Sequence, residues 1–260
     1  MSRFLLQADS ESLDIEFHII KELLYKNRFL YDSFQVRLVD LINKSNSLDV
    51  PIGDINFVTK FINHHYGIKK ENPIEIPVYL RTDEFLKRDY KFVKAKYLPR
   101  LGNYFIKDVD TLKSFTYAGE LLHLNIDEIL KPAEKKFDTS LRIHPNTNIL
   151  VSSIFNIQSE YRVYVISGKI EAICNYNGDV VVFPDVALIN KAVQLINQNE
   201  KWLRSYTIDI MVGKEGTAII EIHNFTSVGL YGTLWGDNLL YAYKQGIDYL
   251  INDNRKLEIE

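Results

Sequence analysis

The chain has 260 residues, 46% of them hydrophobic and 25% charged, a globular composition that excludes a disordered or collagen-like protein. Its net charge of −3 excludes an overall attraction to nucleic acid or anionic membrane, so phosphate binding would require a local cluster of cations. The single cysteine, Cys174, excludes an internal disulfide, and because no targeting segment or membrane-spanning apolar run is visible, we expect a cytoplasmic protein.

Apolar runs and helical spacing alternate near the start of the chain. The run Phe4–Gln7 predicts a strand. Ser10 is a suitable N-cap for the helix predicted over residues 13–26, because its hydroxyl can accept a hydrogen bond from the first turn. Residues 34–42 fit either a strand or a short helix, and the pattern leaves both open.

The following stretch contains several breaking residues. Residues 51–53, with Pro51 and Gly53, indicate a turn. Residues 55–65 have helical spacing, with Gly67 as the stop. Residues 69–77 combine two prolines with mixed charge and are the best candidate for a linker.

From residue 91 onward, short strands dominate. Residues 103–109 and 148–155 read as apolar strands, and residues 111–118 predict a helical turn or loop. Two helices are predicted near the end of the chain, over residues 185–199 and 236–253.

Two hairpins stand out. Residues 160–166 and 169–175 alternate on either side of the turn dipeptide Ser167-Gly168, and residues 206–212 and 217–223 flank a second turn. Hairpins with helices laid on them indicate an α+β or α/β fold with a largely antiparallel sheet.

The second hairpin carries the most informative side chains. If its turn is centred on Glu215, Asp209 lies directly opposite Glu221, and His223 projects from the same face. Two bare carboxylates in that position repel each other unless a cation lies between them. Carboxylate oxygens with waters and phosphates are how magnesium is held at nucleotide sites. A solvent-facing hairpin with ordinary acids is the alternative, and a register shift of one residue would remove the argument.

Cations are available on other strands. Glu160, Arg162 and Tyr164 share one face of the first hairpin, where an arginine can clamp phosphate or form an ordinary surface ion pair with Glu160. Lys107 ends an apolar strand and Lys113 follows six residues later. Each lysine alone is usually solvated, whereas together they could face a polyphosphate.

The order of these features resembles the ATP-grasp superfamily. A strand ending in Lys is followed by an apolar strand, a Glu-x-Arg hairpin and an Asp hairpin ending in Glu-x-His-Asn. The resembling stretches are PIGDINFV, YFIKDVDTLKSFT, ILVSSIFNIQSEYRVYVISGKIEAI and DIMVGKEGTAIIEIHNFTSVGLYG. They are most similar to a compact bacterial and phage branch whose members are proposed to be amide-forming ligases.

The resemblance implies a nucleotide site. Lys107 would contact the ATP phosphates, with Lys113 near a phosphate-covering loop, and Arg162 would stabilise charge on the transferring phosphoryl group. Glu160 is the candidate for the ribose. A hinge that offers backbone groups to adenine would consist of Val151, Ser152, Ser153 and Ile154.

The same resemblance implies a metal site with one departure. Asp209 and Glu221 would hold Mg²⁺, with Mn²⁺ as an option, between the phosphates. The family usually has Glu-x-Asn here, whereas this chain has His223 at that position and Asn224 one place later. Either His223 replaces the amide or Asn224 enters through a distortion at the strand end. Imidazole favours softer metals than an amide oxygen does.

The implied fold is α+β, with two α/β lobes that grip ATP through largely antiparallel sheets. A small N-terminal α/β region would occupy residues 1–76 and the ATP-grasp domain residues 77–260, with a small lobe at about 91–154 and a large lobe at about 155–260. The loop after Asn224, with Gly229, Tyr231 and Gly232, would line the acceptor side.

The implied reaction joins a small-molecule or peptide carboxylate to an amine, or alternatively to a thiol. The carboxylate would attack the γ-phosphoryl group to give an acyl phosphate and ADP, and the nucleophile would then displace phosphate. Two alternatives remain open: a module that senses ATP without turnover, and a nucleic-acid-binding protein that uses the basic residues of segment 87–100. The oligomeric state is not predictable from the sequence.

Overall fold

A computed structural model describes residues 3–7, 15–34, 42–68, 74–110, 115–130, 143–226, 228–232 and 236–257. Within these ranges the chain forms three separate sheets, one parallel and two antiparallel. The predicted α+β class with largely antiparallel sheets is therefore confirmed.

The N-terminal sheet is the parallel one. Its central strand β1 (Phe4–Gln7) pairs with β2 (Tyr31–Phe34) on one side and with β3 (Val50–Ile52) on the other. Helix α1 (Ile15–Lys26) lies between β1 and β2 in the chain, and α2 (Ile55–Tyr66) follows β3.

Several N-terminal predictions can be compared with this sheet. The strand at Phe4–Gln7 is confirmed, and the predicted first helix is confirmed from residue 15. Ser10 and residues 35–41 lie outside the described residues. The second helix is also confirmed: Asp54 caps its first turn, and Gly67 ends it in the left-handed conformation, with φ at +72°.

Pro51 lies in a strand, so the predicted turn at residues 51–53 is wrong over its first two residues. Within the described ranges, strand β3 pairs with β1 alone, and an edge strand tolerates proline because one side of its backbone needs no partner. The chain bends only at Gly53, where a Cβ would lie 2.3 Å from Oε1 of Gln7.

The middle sheet is antiparallel, with the strand order β4-β7-β5-β6. Its strands are β4 (Tyr90–Lys94), β5 (Asn103–Asp108), β6 (Thr116–Glu120) and β7 (Asn148–Ser153). Of the two one-turn helices in this part of the chain, α4 (Ile126–Ile129) packs on the middle sheet, whereas α3 (Asp83–Leu86) packs against the third sheet.

The strand β6 corrects one prediction. Residues 111–118 were expected to form a helical turn or loop, but Thr116–Glu120 pairs with β5 along its whole length. Hydrogen bonds to β5 stabilise the extended conformation of these residues, although their local sequence pattern does not predict a strand. Residues 111–114, including Lys113, lie outside the described residues. The predicted strands at 103–109 and 148–155 are confirmed.

The third sheet is antiparallel, with the order β11-β10-β8-β9. Both predicted hairpins are confirmed, and their strands are β8 (Ile157–Ile166), β9 (Lys169–Gly178), β10 (Tyr206–Gly213) and β11 (Gly216–Asn224). Ser167 and Gly168 form the first turn with φ of +51° and +77°, the left-handed values that a tight two-residue hairpin turn needs.

The two remaining helices cover opposite faces of the third sheet. Helix α5 (Val186–Asn199), capped by Asp185, packs through Ile189 and Val193 on one face. Helix α6 (Asn238–Leu257) packs on the other face against Tyr164 and Phe225. Because α6 covers only one end of its face, the rest of that face is left for the charged side chains described below.

The N-terminal sheet shares a single apolar core with the third sheet and α6. Leu5, Leu6 and Phe57 belong to the same buried cluster as Tyr164 and Leu240. The predicted division at residues 76 and 77 stays a prediction. Part of the predicted linker, residues 69–73, lies outside the described residues.

Across the described ranges, every helix is too short or too polar to cross a bilayer.

A glycine sets the distance between α6 and the third sheet. A Cβ on Gly246 would lie 2.0 Å from the Phe225 carbonyl oxygen, which is backbone and cannot turn aside. Gly246→Ala should therefore lower the free energy of unfolding by about 2 kcal/mol through overpacking. The higher helix propensity of alanine acts in the opposite direction, since by itself it would raise the free energy of unfolding by about 1 kcal/mol.

Denaturant titration of both proteins measures this difference. Lys244→Ala, at a half-exposed position of the same helix, is the matched control and should stay within about 0.5 kcal/mol of the wild type. A Gly246→Ala protein more stable than the wild type would contradict the close packing.

Candidate active site

The hairpin of β10 and β11 places two carboxylates opposite each other. Its turn consists of Lys214 and Glu215, because Gly213 pairs with Gly216. Regular pairing continues as far as Ile210 and Ile219, and a register shift then brings Asp209 opposite Glu221. The predicted opposition is confirmed, but the predicted turn centre on Glu215 is wrong by half a residue. The turn alone would place Asp209 opposite Ile220, and a β-bulge in β11 places it opposite Glu221 instead.

The bulge also explains an irregular apolar pattern in β11. Ile219 and Ile222 are both buried in the cluster under α5, although they are three residues apart rather than two. Ile220 packs with Met211 and Phe155 on the opposite face. Ile220 and Glu221 are therefore consecutive residues on one face, which a regular strand does not allow.

Five charged residues meet on this face, and we name them the charge cluster: Lys107, Arg162, Asp209, Glu221 and His223. Arg162 holds Asp209 in a bidentate ion pair, with Nε to Oδ1 and Nη2 to Oδ2 both at 2.8 Å. His223 Nε2 lies 2.9 Å from Glu221 Oε1 and 3.6 Å from Asp209 Oδ2. Lys107 Nζ, from the middle sheet, donates to Glu221 Oε2 at 2.6 Å.

The cations fix the protonation of the cluster. Burial alone would raise the pKa of Asp209 and Glu221, but Arg162 and His223 lower that of Asp209, while His223 and Lys107 lower that of Glu221. Burial would lower the pKa of His223, yet its contacts with both carboxylates raise that pKa to about 9. At neutral pH both carboxylates are therefore ionised, and His223 carries the positive charge between them.

The donor set fits a divalent cation. One oxygen of Asp209, one oxygen of Glu221 and one ring nitrogen of His223 all lie within 4.8 Å of one another. Two hard oxygen donors suit Mg²⁺ or Mn²⁺, and the imidazole tilts the site toward the latter. Asn224 is not brought into this group, because its Oδ1 lies against Gly246 of α6.

Two stacked tyrosines pack beside Arg162. The rings of Tyr176 and Tyr231 are 5.2 Å apart and nearly parallel, and the guanidinium lies 5.7 and 5.2 Å from their centroids. This cation–π packing fixes the arginine in the plane that grips Asp209. Sequence reasoning missed Tyr176, whose only signal is its position one strand away from Arg162.

The Tyr231 loop, residues 228–232, is anchored by side chains. The hydroxyl of Tyr164 donates to the Gly229 carbonyl and accepts from the Tyr231 amide, both at 2.7 Å. Glu16 of α1 accepts from the Leu230 amide at 2.7 Å. The loop is thus held from both the third sheet and the N-terminal region.

Glu160 lies two residues from Arg162 on β8, and both of its oxygens are occupied. Tyr176 donates to Oε2 at 2.7 Å and Asn177 to Oε1 at 2.9 Å. The alternative of a Glu160–Arg162 surface pair is not what the structure contains, since Arg162 is bound to Asp209.

An apolar cavity opens next to the charge cluster, between the middle and third sheets. We name it the inter-sheet cavity, and the residues that line it include Tyr90, Phe105, Leu150, Ser152, Ser153, Ile154, Phe155, Met211, Ile220 and Ile222. Lys107, Glu221 and His223 line it as well. The cavity therefore joins an apolar compartment to a charged one.

The predicted hinge lies partly on this cavity. Ser152, Ser153 and Ile154 line it, whereas Val151 is buried in the core of the middle sheet. Val151 pairs with both Lys91 and Ile106, so strand partners flank its backbone on both sides. Of the four predicted hinge residues, the three that follow Val151 therefore lie on the cavity wall.

The family of this chain follows from a match to a known family model. The family model for the ATP-grasp domain of the R-2-K clade, family 2, matches residues 85–237. Among curated proteins no significant match was found.

Solved structures share the fold at low identity. A D-alanine–D-alanine ligase from Bacillus anthracis superposes with a TM-score of 0.53 at 13% identity, covering 99% of this chain and 98% of that one. A RimK domain protein ATP-grasp from Sphaerobacter thermophilus DSM 20745 gives 0.50 at 10% identity, covering 97% and 98%. The family model covers more than half of the sequence, and the chain belongs to family 2 of this clade within the ATP-grasp superfamily.

Proposed function

We propose that this protein is an ATP-dependent ligase that joins a carboxylate to an amine through an acyl phosphate. The observation that carries the proposal is the charge cluster at one end of the inter-sheet cavity. Two ionised carboxylates and three cations converge there, from both sheets. A cluster of this kind suits a polyphosphate and its metal ion, while the apolar compartment suits a base.

Asp209 and Glu221 would hold the metal, with His223 as a third donor. A bound Mg²⁺ or Mn²⁺ would neutralise charge on the triphosphate during transfer. Lys107 and Arg162 would then move from the carboxylates to phosphate oxygens, for which their geometry is equally suited. Lys113 is assigned a phosphate contact by the family resemblance alone.

The inter-sheet cavity would take the nucleoside. Backbone groups of Ser153 and Ile154 would face the adenine edge, between Met211 and Ile220 on one side and Phe105 on the other. Glu160, oriented by Tyr176 and Asn177, would accept from the ribose hydroxyls.

The proposed ligation has two steps, formation of the acyl phosphate and its reaction with the amine. An oxygen of the substrate carboxylate bonds to the γ-phosphorus as the bond to the β-phosphate oxygen breaks, which releases ADP. The amine nitrogen then bonds to the acyl carbon, phosphate leaves, and the nitrogen loses a proton. Arg162 stabilises the transferring phosphoryl group.

The substrate side would be formed by the Tyr231 loop and the N-terminal region, proposed as residues 1–76, because Glu16 and Leu230 connect the two. Water must be kept from an acyl phosphate, and the stacked pair of Tyr176 and Tyr231 covers Arg162 on that side. The acceptor would be a small molecule or peptide.

The basic segment 87–100 gives little support to nucleic-acid binding. Arg88 is turned inward to backbone carbonyls, and Arg100 pairs with Asp127. Fewer of its cations are therefore available to phosphates than the sequence alone indicates.

A screen of amino acids, peptides and small carboxylates for stimulated ADP release tests the proposal. Asp209→Asn and Lys107→Ala should each lower the stimulated rate by about 100-fold, because the first weakens a proposed ligand of the metal ion and the second removes a positive charge that faces the phosphates. Lys94→Ala, an exposed lysine on the same sheet, is the matched control and should behave as the wild type. ATP binding without ADP release under every mixture would instead identify a nucleotide sensor.

His223→Asn restores the residue pattern usual in the family. We expect half-maximal activity at a several-fold lower Mg²⁺ concentration, because an amide oxygen is a harder donor that carries no competing proton. Titrating Mg²⁺ and Mn²⁺ against ADP release measures the change. An unaltered Mg²⁺ requirement would remove His223 from the metal site.

In EDTA, which removes metal ions, the His223→Asn protein should be less stable than the wild type, because the positive charge of the His223 imidazolium between Asp209 and Glu221 is lost. The raised pKa of His223 means that its stabilisation is complete below about pH 6.5 and disappears as the pH rises through about 9. Melting temperatures should therefore differ by a few degrees at pH 6 and converge near pH 10. A difference that persists at pH 10 would show that packing, and not charge, is responsible.

A further inference from the structure

The bulge in β11 is the local irregularity on which the charge cluster depends. Without it, Asp209 would face Ile220, and Glu221 would point into the apolar cluster beneath α5. Strand β11 is also the edge strand of its sheet. Among the described residues, its outer backbone groups have no strand partner, so any contact that fixes them comes from outside the sheet.

Arg88 supplies a contact at this place. Its Nη1 donates to the Ile219 carbonyl at 2.8 Å and to the Leu86 carbonyl at 3.0 Å. Ile219 is the last residue of β11 in regular pairing before the shift. One nitrogen thus connects the residue that begins the bulge to the end of α3, and α3 itself packs against β11.

The setting of Arg88 is unusual for a cation. Burial lowers its pKa to about 10, and no carboxylate of the described residues lies within ion-pair distance of it. A partly buried guanidinium whose hydrogen-bond partners are carbonyl groups is costly, and such groups persist where their hydrogen bonds serve a purpose. Among its neighbours, the aromatic ring of Tyr90 lies 5.8 Å away and accounts for packing but not for charge.

We infer that Arg88 is a positioning residue, which fixes the bulge of β11 through the Ile219 carbonyl and thereby holds Glu221 opposite Asp209. Arg88 contacts neither carboxylate. It acts through the backbone of β11, from the Ile219 carbonyl to Glu221. The inference rests on the proposed function for the metal role of Glu221.

Mn²⁺ binding to the full chain without nucleotide tests the inference, followed by electron paramagnetic resonance. The metal alone is the probe, because Arg88 also lines the inter-sheet cavity and could affect a nucleotide directly. Arg88→Met should weaken Mn²⁺ binding by roughly tenfold, the range seen when support of a metal ligand is lost. Arg88→Lys, which keeps one donor, should recover part of the loss.

The matched control is Arg81→Met. Arg81 belongs to the same part of the chain, also donates to a backbone carbonyl, that of Ile76, and packs over Phe92. Because neither of these contacts reaches β11, its loss should leave Mn²⁺ affinity unchanged. An equal loss of affinity in Arg81→Met and Arg88→Met would overturn the inference.

A double-mutant cycle separates positioning from general damage. In the Glu221→Gln background, Arg88→Met should change Mn²⁺ affinity by less than twofold, since the ligand that it positions is already lost. A further tenfold loss in that background would show that Arg88 acts independently of Glu221 and would refute the positioning role. If Arg88→Met does not fold, Arg88→Lys carries the same comparison.

Amide hydrogen exchange provides a measurement that needs no metal. Protection at residues 219–223 should fall in the Arg88 variant and be retained in Arg81→Met. If the wild type itself binds no Mn²⁺, the proposed metal role of Glu221 fails. The exchange measurement still tests whether Arg88 holds the bulge, because it needs no metal ion. Unchanged protection at these residues would exclude any hold of Arg88 on the bulge.

Discussion

Two ionised carboxylates on neighbouring strands impose the main constraint on this structure. Asp209 and Glu221 face each other at the centre of a partly buried surface, and their repulsion has to be offset where water screens it only in part. Arg162 comes from β8, His223 from β11 and Lys107 from a different sheet. Through the Lys107–Glu221 ion pair, the two acids also connect the middle sheet to the third sheet.

Much of this arrangement could be predicted from the sequence. Both hairpins follow from alternation and turn residues, and the facing carboxylates follow from the hairpin. The route to that pairing was only half correct, because the tight turn and the bulge shift the register in compensating directions. The adjacent pair Ile219 and Ile220 is the visible trace of the bulge, but two consecutive isoleucines are equally common in regular strands that are buried on both faces.

Several further features could not be predicted, for identifiable physical reasons. The strand position of Pro51 depends on β1, which is distant in sequence, and that of β6 depends on its pairing with β5, and local propensity reports neither. Arg88 was one cation in a basic segment, and only the fold reveals that it donates a hydrogen bond to the edge strand β11. Tyr176 has no motif at all, and it matters because antiparallel pairing brings it near Arg162.

The contact between Glu16 and the Leu230 amide has an evolutionary consequence. The strands that carry the charge cluster and the segment that shapes the Tyr231 loop are far apart along the gene. Mutations or recombination in the first part of the gene can therefore reshape the loop while the codons for the charged strands remain untouched. Because Tyr231 of this loop also packs on Arg162, a change that begins near Glu16 can reach the charge cluster without altering any residue on its strands.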